Sequence, residues 1–153
     1  MIRTDSVVIR YLALRAAPFV QLYALYVLGH GEDGPGGGFQ GGVIFAASFI
    51  LMALAQGWGF GRKQANQVAT DLLAPTGALI YAGIGFVCLL AGGAFLEYGA
   101  LAGSDDPHAK HTAHHFGLIG IEIGVMITVT ASMIILYFDM SRPDGDEDAG
   151  GAS

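Results

Sequence analysis

Four long apolar runs dominate the sequence, at residues 7–28, 39–60, 72–96 and 116–138. Each run is long enough to cross the hydrocarbon core of a bilayer, which takes about 20 apolar residues in a helix. Because 53% of the 153 residues are hydrophobic and only 13% are charged, the chain is too apolar for a soluble domain of its size. Barrel strands would instead be segments of about ten residues that alternate in polarity. The sequence therefore predicts an all-α, polytopic integral membrane protein with four transmembrane helices.

The distribution of Lys and Arg predicts the orientation of these helices. Arg3, Arg62, Lys63 and Arg142 occur at the N-terminus, the second loop and the C-terminus, which an even number of spans places on one side. The opposite side has only Lys110. Because short cytoplasmic loops retain Lys and Arg, we predict that both termini are cytoplasmic. Residues 1–143 are predicted to form one transmembrane domain, and the acidic residues 144–153 a disordered tail.

A glycine-rich segment, GPGGGFQGG at residues 34–42, separates the first two apolar runs. Gly36, Gly38 and Gly41 have the spacing of a dinucleotide-binding motif, but that motif follows a strand, opens an amphipathic helix and has an acidic residue about 20 positions later. None of these conditions is met, so the segment is interpreted as a tight turn. No cofactor and no nucleic-acid partner is predicted.

Small residues four positions apart let two helix backbones approach closely. This spacing recurs within the glycine-rich segment, at Gly57 and Gly61, and in the fourth run. The residues assigned to the turn and to close packing are Pro35, Gly36, Gly37, Gly38, Phe39, Gly41, Gly42, Gly120 and Gly124. The single cysteine, Cys88, lies in the third run and is assigned to packing.

Glu122 is the strongest candidate for a functional residue. It lies six residues inside the fourth run, about 9 Å deep at a rise of 1.5 Å per residue. An unpaired carboxylate at that depth costs several kcal/mol or stays protonated. On a helix, Glu122 points about 160° away from Gly120 and Gly124, so the acidic and the close-packing faces differ. The side chain is interpreted as an ion or proton relay, with a structural carboxyl bound to a neighbouring helix as the alternative.

Arg15 is the other deep charge, and it enters from the opposite side, about 12 Å into the first run. Across a core of about 30 Å, Arg15 and Glu122 would remain about 10 Å apart, so no salt bridge between them is expected. Arg15 is expected to have another partner, to line a hydrated path or to extend back to the cytoplasmic interface, as Arg10 is also expected to do.

The predicted outer side is acidic and rich in histidine. Its acidic residues either attract cations or form a solvated surface, and they are Glu32, Asp33, Glu97, Asp105 and Asp106. His108, His111, His114 and His115 follow in the same region, where His111 and His115 could bind zinc if they shared a helix. The sequence favours a polar loop there, and no metal site is predicted.

The chain resembles the MnhB/MrpB-like family of small membrane subunits of Mrp-type sodium/proton antiporters. The resemblance is carried by a helix that ends in His30-Gly31, then Pro-Gly-Gly-Gly-Phe at residues 35–39, and Gly41-Gly42 at the start of the next helix. A weaker likeness continues at residues 122–125, where an acidic residue shortly precedes Gly-Val. The histidine-rich region and the acidic tail do not belong to the pattern.

The resemblance implies a transporter subunit rather than an enzyme. It implies a hetero-oligomeric complex in a prokaryotic plasma membrane that exchanges Na⁺ for H⁺, with large complex I-like membrane subunits and other small membrane subunits as partners. Glu122 would then be the relay, and His30 and Glu97 would shape an outer polar entrance. Because the same subunit type occurs in membrane-bound hydrogenases, the alternative is a purely structural subunit of an ion-pumping oxidoreductase.

Overall fold

The computed structural model describes residues 6–31, 34–103 and 106–142. These residues form α1 (Val7–Gly29), α2 (Gly38–Gln56), a short α3 (Trp58–Gln64), α4 (Gln67–Leu90), a 3-10 helix (Tyr98–Ala102) and α5 (Pro107–Met140). No strand occurs among the described residues. Four helices, α1, α2, α4 and α5, are long and apolar enough to cross a membrane, which confirms the predicted fold class. The acidic tail, Glu32, Asp33 and Asp105 lie outside the described residues.

The four long helices pack side by side in the order α1, α2, α5, α4. Neighbours α1 and α2 are antiparallel, as are α4 and α5, whereas α2 and α5 run parallel, because Gly38 lies against Glu122 and Gly61 against Phe138. The C-terminus of α1, the N-terminus of α2 and the C-terminus of α4 therefore lie at the same end of the molecule. Because α1 packs chiefly on α2, and α4 chiefly on α5, the two outermost helices keep wide apolar faces.

Glycines allow close approach on both sides of α2. Gly41 lies against Ala24 and Leu28 of α1, and Gly42 lies against Met126 and Val129 of α5. The small residues of α2 thus let the backbones of α1 and α5 approach the α2 backbone closely from two sides.

Hydrogen bonds across the helix pairs add to this packing. The Thr130 hydroxyl of α5 donates to the Gly42 carbonyl of α2 at 3.2 Å, and Thr128 of α5 donates to the Ala74 carbonyl of α4 at 3.1 Å. Such bonds hold helices together in a membrane, where apolar burial between helices contributes little.

The second predicted span is interrupted at Gly57. The helix predicted over residues 39–60 ends at Gln56, and Gly57 adopts φ 101° and ψ 160°, a conformation open almost only to glycine. A Cβ on Gly57 would meet nothing within 4 Å, so Gly57 makes no close-packing contact with the rest of the described chain. Gly61 alone makes such contacts, with Ala53 and Phe138.

Helix α1 begins at Val7 as predicted, whereas α4 and α5 begin earlier than predicted and α4 ends at Leu90 rather than at residue 96. Helix α4 starts at Gln67 rather than at residue 72, because the Asn66 side chain caps it by accepting from the Val68 amide at 2.9 Å. Helix α5 starts at Pro107 rather than at residue 116, and the Asp106 side chain caps it by accepting from the His108 amide at 3.1 Å.

The early start of α5 places the histidines in a helix instead of the predicted loop. With 34 residues, α5 is about 51 Å long and exceeds the hydrocarbon thickness of about 30 Å. The histidines, predicted in a loop, occupy its first turns, because the Asp106 cap and Pro107 begin the helix before them.

Candidate functional site: Glu122 in a glycine pocket

Glu122 lies near the middle of α5, and its side chain is half-buried. Its carboxyl group lies against Gly31, just beyond the end of α1, and against Gly37, immediately before α2. A Cβ on Gly31 would overlap the Glu122 carboxyl group, and one on Gly37 would lie 3.3 Å from Oε1. A Cβ on Gly38 would collide with the Glu122 backbone. A Cβ at position 38 would require the α5 backbone to move, whereas a Cβ at position 31 would displace the end of the Glu122 side chain. We call Gly31, Gly37 and Gly38 the glycine pocket.

The turn that forms the glycine pocket is held by contacts with the last residues of α1. The Gly37 amide donates to the Val27 carbonyl at 3.1 Å and so ties the start of α2 to the end of α1. Gly37 itself has φ 119°, which disfavours any residue with a side chain. His30 is the C-cap residue of α1, and its Nδ1 lies 2.9 Å from the Tyr26 carbonyl while its ring packs on the Tyr26 ring at 4.0 Å. His30, which was predicted to shape the outer entrance, thus immediately precedes Gly31 of the glycine pocket.

Two helix ends of opposite polarity flank the Glu122 carboxyl group. Helix α2 begins at Gly38, and the first N–H groups of a helix carry a partial positive charge that favours an anion. Helix α1 ends at Gly29, and its last carbonyl groups carry a partial negative charge that favours a cation. The arrangement can therefore stabilise a carboxylate together with a cation or proton beside it.

The opposite face of α5 makes the close contacts with α4. Gly124 lies against Gly77 and Ile80, and Gly120 lies against Ile84. The acid and the packing glycines thus contact different neighbours, as the 100° periodicity of a helix requires.

Arg15 is not part of this site. Its guanidinium lies 4.8 Å from the centre of the Tyr11 ring, and its side chain is exposed. Arg15 and Gly31 are separated by about 24 Å along α1, at 1.5 Å per residue, so Arg15 cannot reach Glu122. Arg10 binds α2, where Nε and Nη2 donate to Gln56 Oε1 at 3.0 and 2.8 Å.

Glu97 belongs to a separate region at the end of α4. Its exposed carboxylate accepts from the Ala94 amide at 2.7 Å, and with Lys110 it lines an open cavity of about 450 Å³. Lys110 is three turns from Glu122, or about 18 Å along α5. The structure therefore does not bring Glu97 into the glycine pocket.

The remaining groups at this end make local contacts. The Tyr98 ring packs on Gly117 and lies 5.3 Å from the His114 ring. Burial raises the pKa of the Tyr98 phenol above its ordinary value, so the hydroxyl stays protonated at neutral pH.

His111 and His115 share one face of α5, but the described residues contain no group of three or more His, Cys, Asp or Glu able to hold a metal ion. Cys88 is free and fully buried.

Sequence reasoning identified Glu122 and the glycine segment separately and missed their contact. It also gave Gly31 no role beyond the end of a helix. The signal that could have found the contact was the resemblance pattern itself, because its two parts, His30-Gly31 and residues 122–125, meet in the folded chain.

Comparison with known proteins finds a family match over the helices that form this site. Residues 8–135, which include all but the first residue of α1, the glycine pocket and Glu122, match a family model described as a domain related to the MnhB subunit of Na⁺/H⁺ antiporter. The chain belongs to this family. The match confirms the resemblance inferred from the sequence, and it covers most of the four long helices of this MnhB-related chain.

Relatives of the MnhB-related chain occur in staphylococci. A Staphylococcus haemolyticus protein named "Putative antiporter subunit mnhB2" is 27% identical over 154 residues, covering 91% of this chain and 96% of the relative. A protein of the same name from Staphylococcus epidermidis is 31% identical over 125 residues, covering 78% of this chain and 82% of the relative. Another from Staphylococcus aureus is 40% identical over 53 residues, covering 35% and 38%. The match to the Staphylococcus haemolyticus protein thus extends over nearly the whole length of that relative.

Proposed function

We propose that this chain is a non-redox membrane subunit of a multisubunit Na⁺/H⁺ antiporter, and that Glu122 forms part of its ion or proton path. The family match and the names of the relatives support the antiporter assignment. The observation that carries the role of Glu122 is the placement of its carboxyl group against Gly31 and Gly37, between the ends of α1 and α2. The proposed location is a prokaryotic plasma membrane, with both termini in the cytoplasm.

The helix ends supply the chemistry of the proposed path. The N-terminus of α2 favours the ionised carboxylate, and the C-terminal carbonyls of α1 favour a cation next to it. Transporters use such helix ends to hold ions at intramembrane depth. Glu122 would exchange a proton for Na⁺ at this point, and His30 and Glu97 would contribute to the outer polar entrance.

Partner subunits are proposed to cover the outermost helices. Phe19 on α1 and Leu79 and Phe86 on α4 are 73%, 70% and 59% exposed. Bilayer lipid and the other antiporter subunits, both large complex I-like ones and small ones, would together cover these faces. The family assignment supports subunit partners because it places the chain among antiporter subunits.

The relay role predicts the behaviour of Glu122→Gln. Glutamine keeps the shape of the side chain but cannot bind a proton reversibly or carry a negative charge. We expect the assembled complex to be recovered in normal amount and Na⁺-dependent proton flux in inverted membrane vesicles to fall to background. The matched control is Asp139→Asn, which changes an exposed acid near the C-terminal end of α5 and should transport normally. Transport by an assembled Glu122→Gln complex would show that the carboxyl group is only structural.

The contact of Glu122 with the start of α2 also fits a carboxylate that merely stabilises that helix end, as in a structural subunit of an ion-pumping oxidoreductase. Purification of the tagged chain in mild detergent, followed by mass spectrometry, separates the parent complexes. Antiporter-like subunits without redox partners would support the proposal, whereas iron–sulfur or hydrogenase subunits would support the alternative. Recovery of the chain alone would count against both.

A further inference from the structure

A groove opens between α1 and α2 at the end of the molecule that lies opposite the glycine pocket. It is a cavity of about 190 Å³ lined by Val7, Arg10, Tyr11, Leu14 and Gln56. Its apolar wall faces outward, because Val7 is 76% exposed, Tyr11 60% and Leu14 38%. We call it the α1–α2 groove.

Arg10 lines the α1–α2 groove, and Arg15 lies against Tyr11, which is another of its lining residues. Arg10 is fixed in orientation, because two of its nitrogens donate to Gln56 Oε1 while Gln56 Nε2 donates back to the Arg10 carbonyl at 3.0 Å. Arg15 lies over the Tyr11 ring at 4.8 Å. Both partners, an amide and a phenol ring, are neutral, so neither contact supplies a negative charge.

Among the described residues, neither arginine contacts an acidic side chain, so an anion would complement both charges. The two arginines lie within the first three turns of a helix that is long and apolar enough to span a membrane. At the edge of the hydrocarbon core, a cation is stabilised by an anionic partner. Guanidinium groups match phosphate geometrically, and basic pockets between transmembrane helices bind anionic lipid head groups. The wall of the groove, with aliphatic and aromatic side chains open to the bilayer, suits an acyl chain better than an acidic protein segment.

We propose that the α1–α2 groove binds an anionic phospholipid. The phosphate contacts Arg10 and Arg15, and an acyl chain lies along Val7, Tyr11 and Leu14. Gln56 is a positioning residue that holds the Arg10 guanidinium at the groove. The proposal does not depend on transport by Glu122, and the proposed orientation serves only to name the cytoplasmic leaflet as the source of the lipid.

The test is lipid binding to the assembly that co-purifies with the chain, measured by native mass spectrometry after delipidation. Dioctanoyl phosphatidylglycerol and dioctanoyl phosphatidylcholine are the probes. We expect saturable, preferential binding of the phosphatidylglycerol. Affinity should fall at least about tenfold in the double variant Arg10→Gln, Arg15→Gln, because two charge-assisted contacts are lost. The matched control is Lys63→Gln, Arg142→Gln, which removes two exposed charges elsewhere in the chain and should bind normally.

A second variant keeps the test valid if the arginine variant fails to assemble. Leu14→Trp fills the apolar part of the groove, keeps both charges and should also weaken binding. Equal binding of the two lipids by the wild type, or normal binding by the variants that assemble, would overturn the proposal. A cross-link from Val7→Cys to an acidic segment of another subunit, with no saturable lipid binding, would identify that segment as the occupant and also overturn it. Because the readout is lipid occupancy, failure of this proposal is distinguishable from failure of the transport assignment.

Discussion

Gly31 and Glu122 are far apart in the sequence and in contact in the structure. The contact exists because Gly31 has no side chain, since a Cβ there would overlap the Glu122 carboxyl group. Gly29, two residues earlier, has open space where its Cβ would lie. The two glycines therefore allow a test of whether the glycine pocket is needed to hold the acid.

We predict that Gly31→Ala destabilises the purified assembly by up to about 3 kcal/mol, because the end of the Glu122 side chain must leave the glycine pocket to admit the methyl group. The measurement is the thermal unfolding midpoint in detergent. Gly29→Ala should leave the midpoint unchanged or raise it slightly, because Ala is the better helix former. Shortening the acid should relieve the overlap, so Gly31→Ala combined with Glu122→Asp should be more stable than the sum of the two single effects. Equal midpoints for Gly31→Ala and Gly29→Ala would contradict the pocket.

For Glu122 and the histidines, only part of the structure could be predicted from the sequence. The separation of Glu122 from Gly120 and Gly124 around the helix followed from helix geometry alone. Its partner did not, because a contact between α5 and the α1–α2 turn depends on how three helices pack. The helical histidines were missed for another reason: their composition is polar, and only the Asp106 cap with Pro107 marks the start of the helix.

At the scale of elements, α4 and α5 approach each other through glycine. A Cβ on Gly77 would collide with the Gly124 carbonyl and with the Thr128 hydroxyl, whereas one on Gly83 would meet nothing within 4 Å. Both glycines lie inside α4, so the intrinsic helix propensity gained on substitution by Ala is similar.

We predict that Gly77→Ala lowers the stability of the assembly by about 1–3 kcal/mol, because the two backbones must separate. Gly83→Ala should be neutral or stabilising by up to about 1 kcal/mol. Thermal unfolding of the two variants side by side checks this difference. If Gly83→Ala proved the more damaging variant, that face of α4 would have to pack against a partner subunit rather than lipid.

The break between α2 and α3 is a second feature at the scale of elements. The apolar run 39–60 gave no reason to expect a break, because the composition does not change at Gly57. What ends α2 is the backbone conformation of Gly57, with φ 101°. The turn lets α3 fold back so that Trp58 packs edge-on against Phe138, with ring centres 6.0 Å apart.

We predict that Gly57→Ala costs about 1–3 kcal/mol, the penalty for a side chain in a region of φ and ψ that is almost exclusive to glycine. The control is Gly59→Ala in α3, where a Cβ also has open space. Because neither substitution creates a clash, a lower unfolding midpoint for Gly57→Ala alone would measure the cost of placing a side chain on the backbone conformation of residue 57. The same midpoint for both variants would mean that α2 can continue through residue 57.

At the scale of the whole molecule, the order α1, α2, α5, α4 leaves two edges. A compact four-helix bundle would bury all four apolar faces, whereas here only the central pair, α2 and α5, has long-helix neighbours on both sides. The number of helices and their apolar character could be predicted from the sequence. Their order could not, because it depends on which glycine faces pair. An arrangement with two open edges is suited to a subunit that is completed by other membrane proteins.

The orientation of the whole chain is open to direct test. Lys63 and His108 are exposed and lie at opposite ends of the helices, and the single native cysteine, Cys88, is fully buried. In a Cys88→Ala background, we predict that His108→Cys reacts with a membrane-impermeant maleimide in intact cells, whereas Lys63→Cys reacts only after permeabilisation. The reason is the concentration of Lys and Arg at the end of the molecule that carries Lys63. The reverse labelling pattern would place both termini outside and would move the lipid of the α1–α2 groove to the outer leaflet. Labelling of both sites in intact cells would mean that the chain does not span the membrane as four helices.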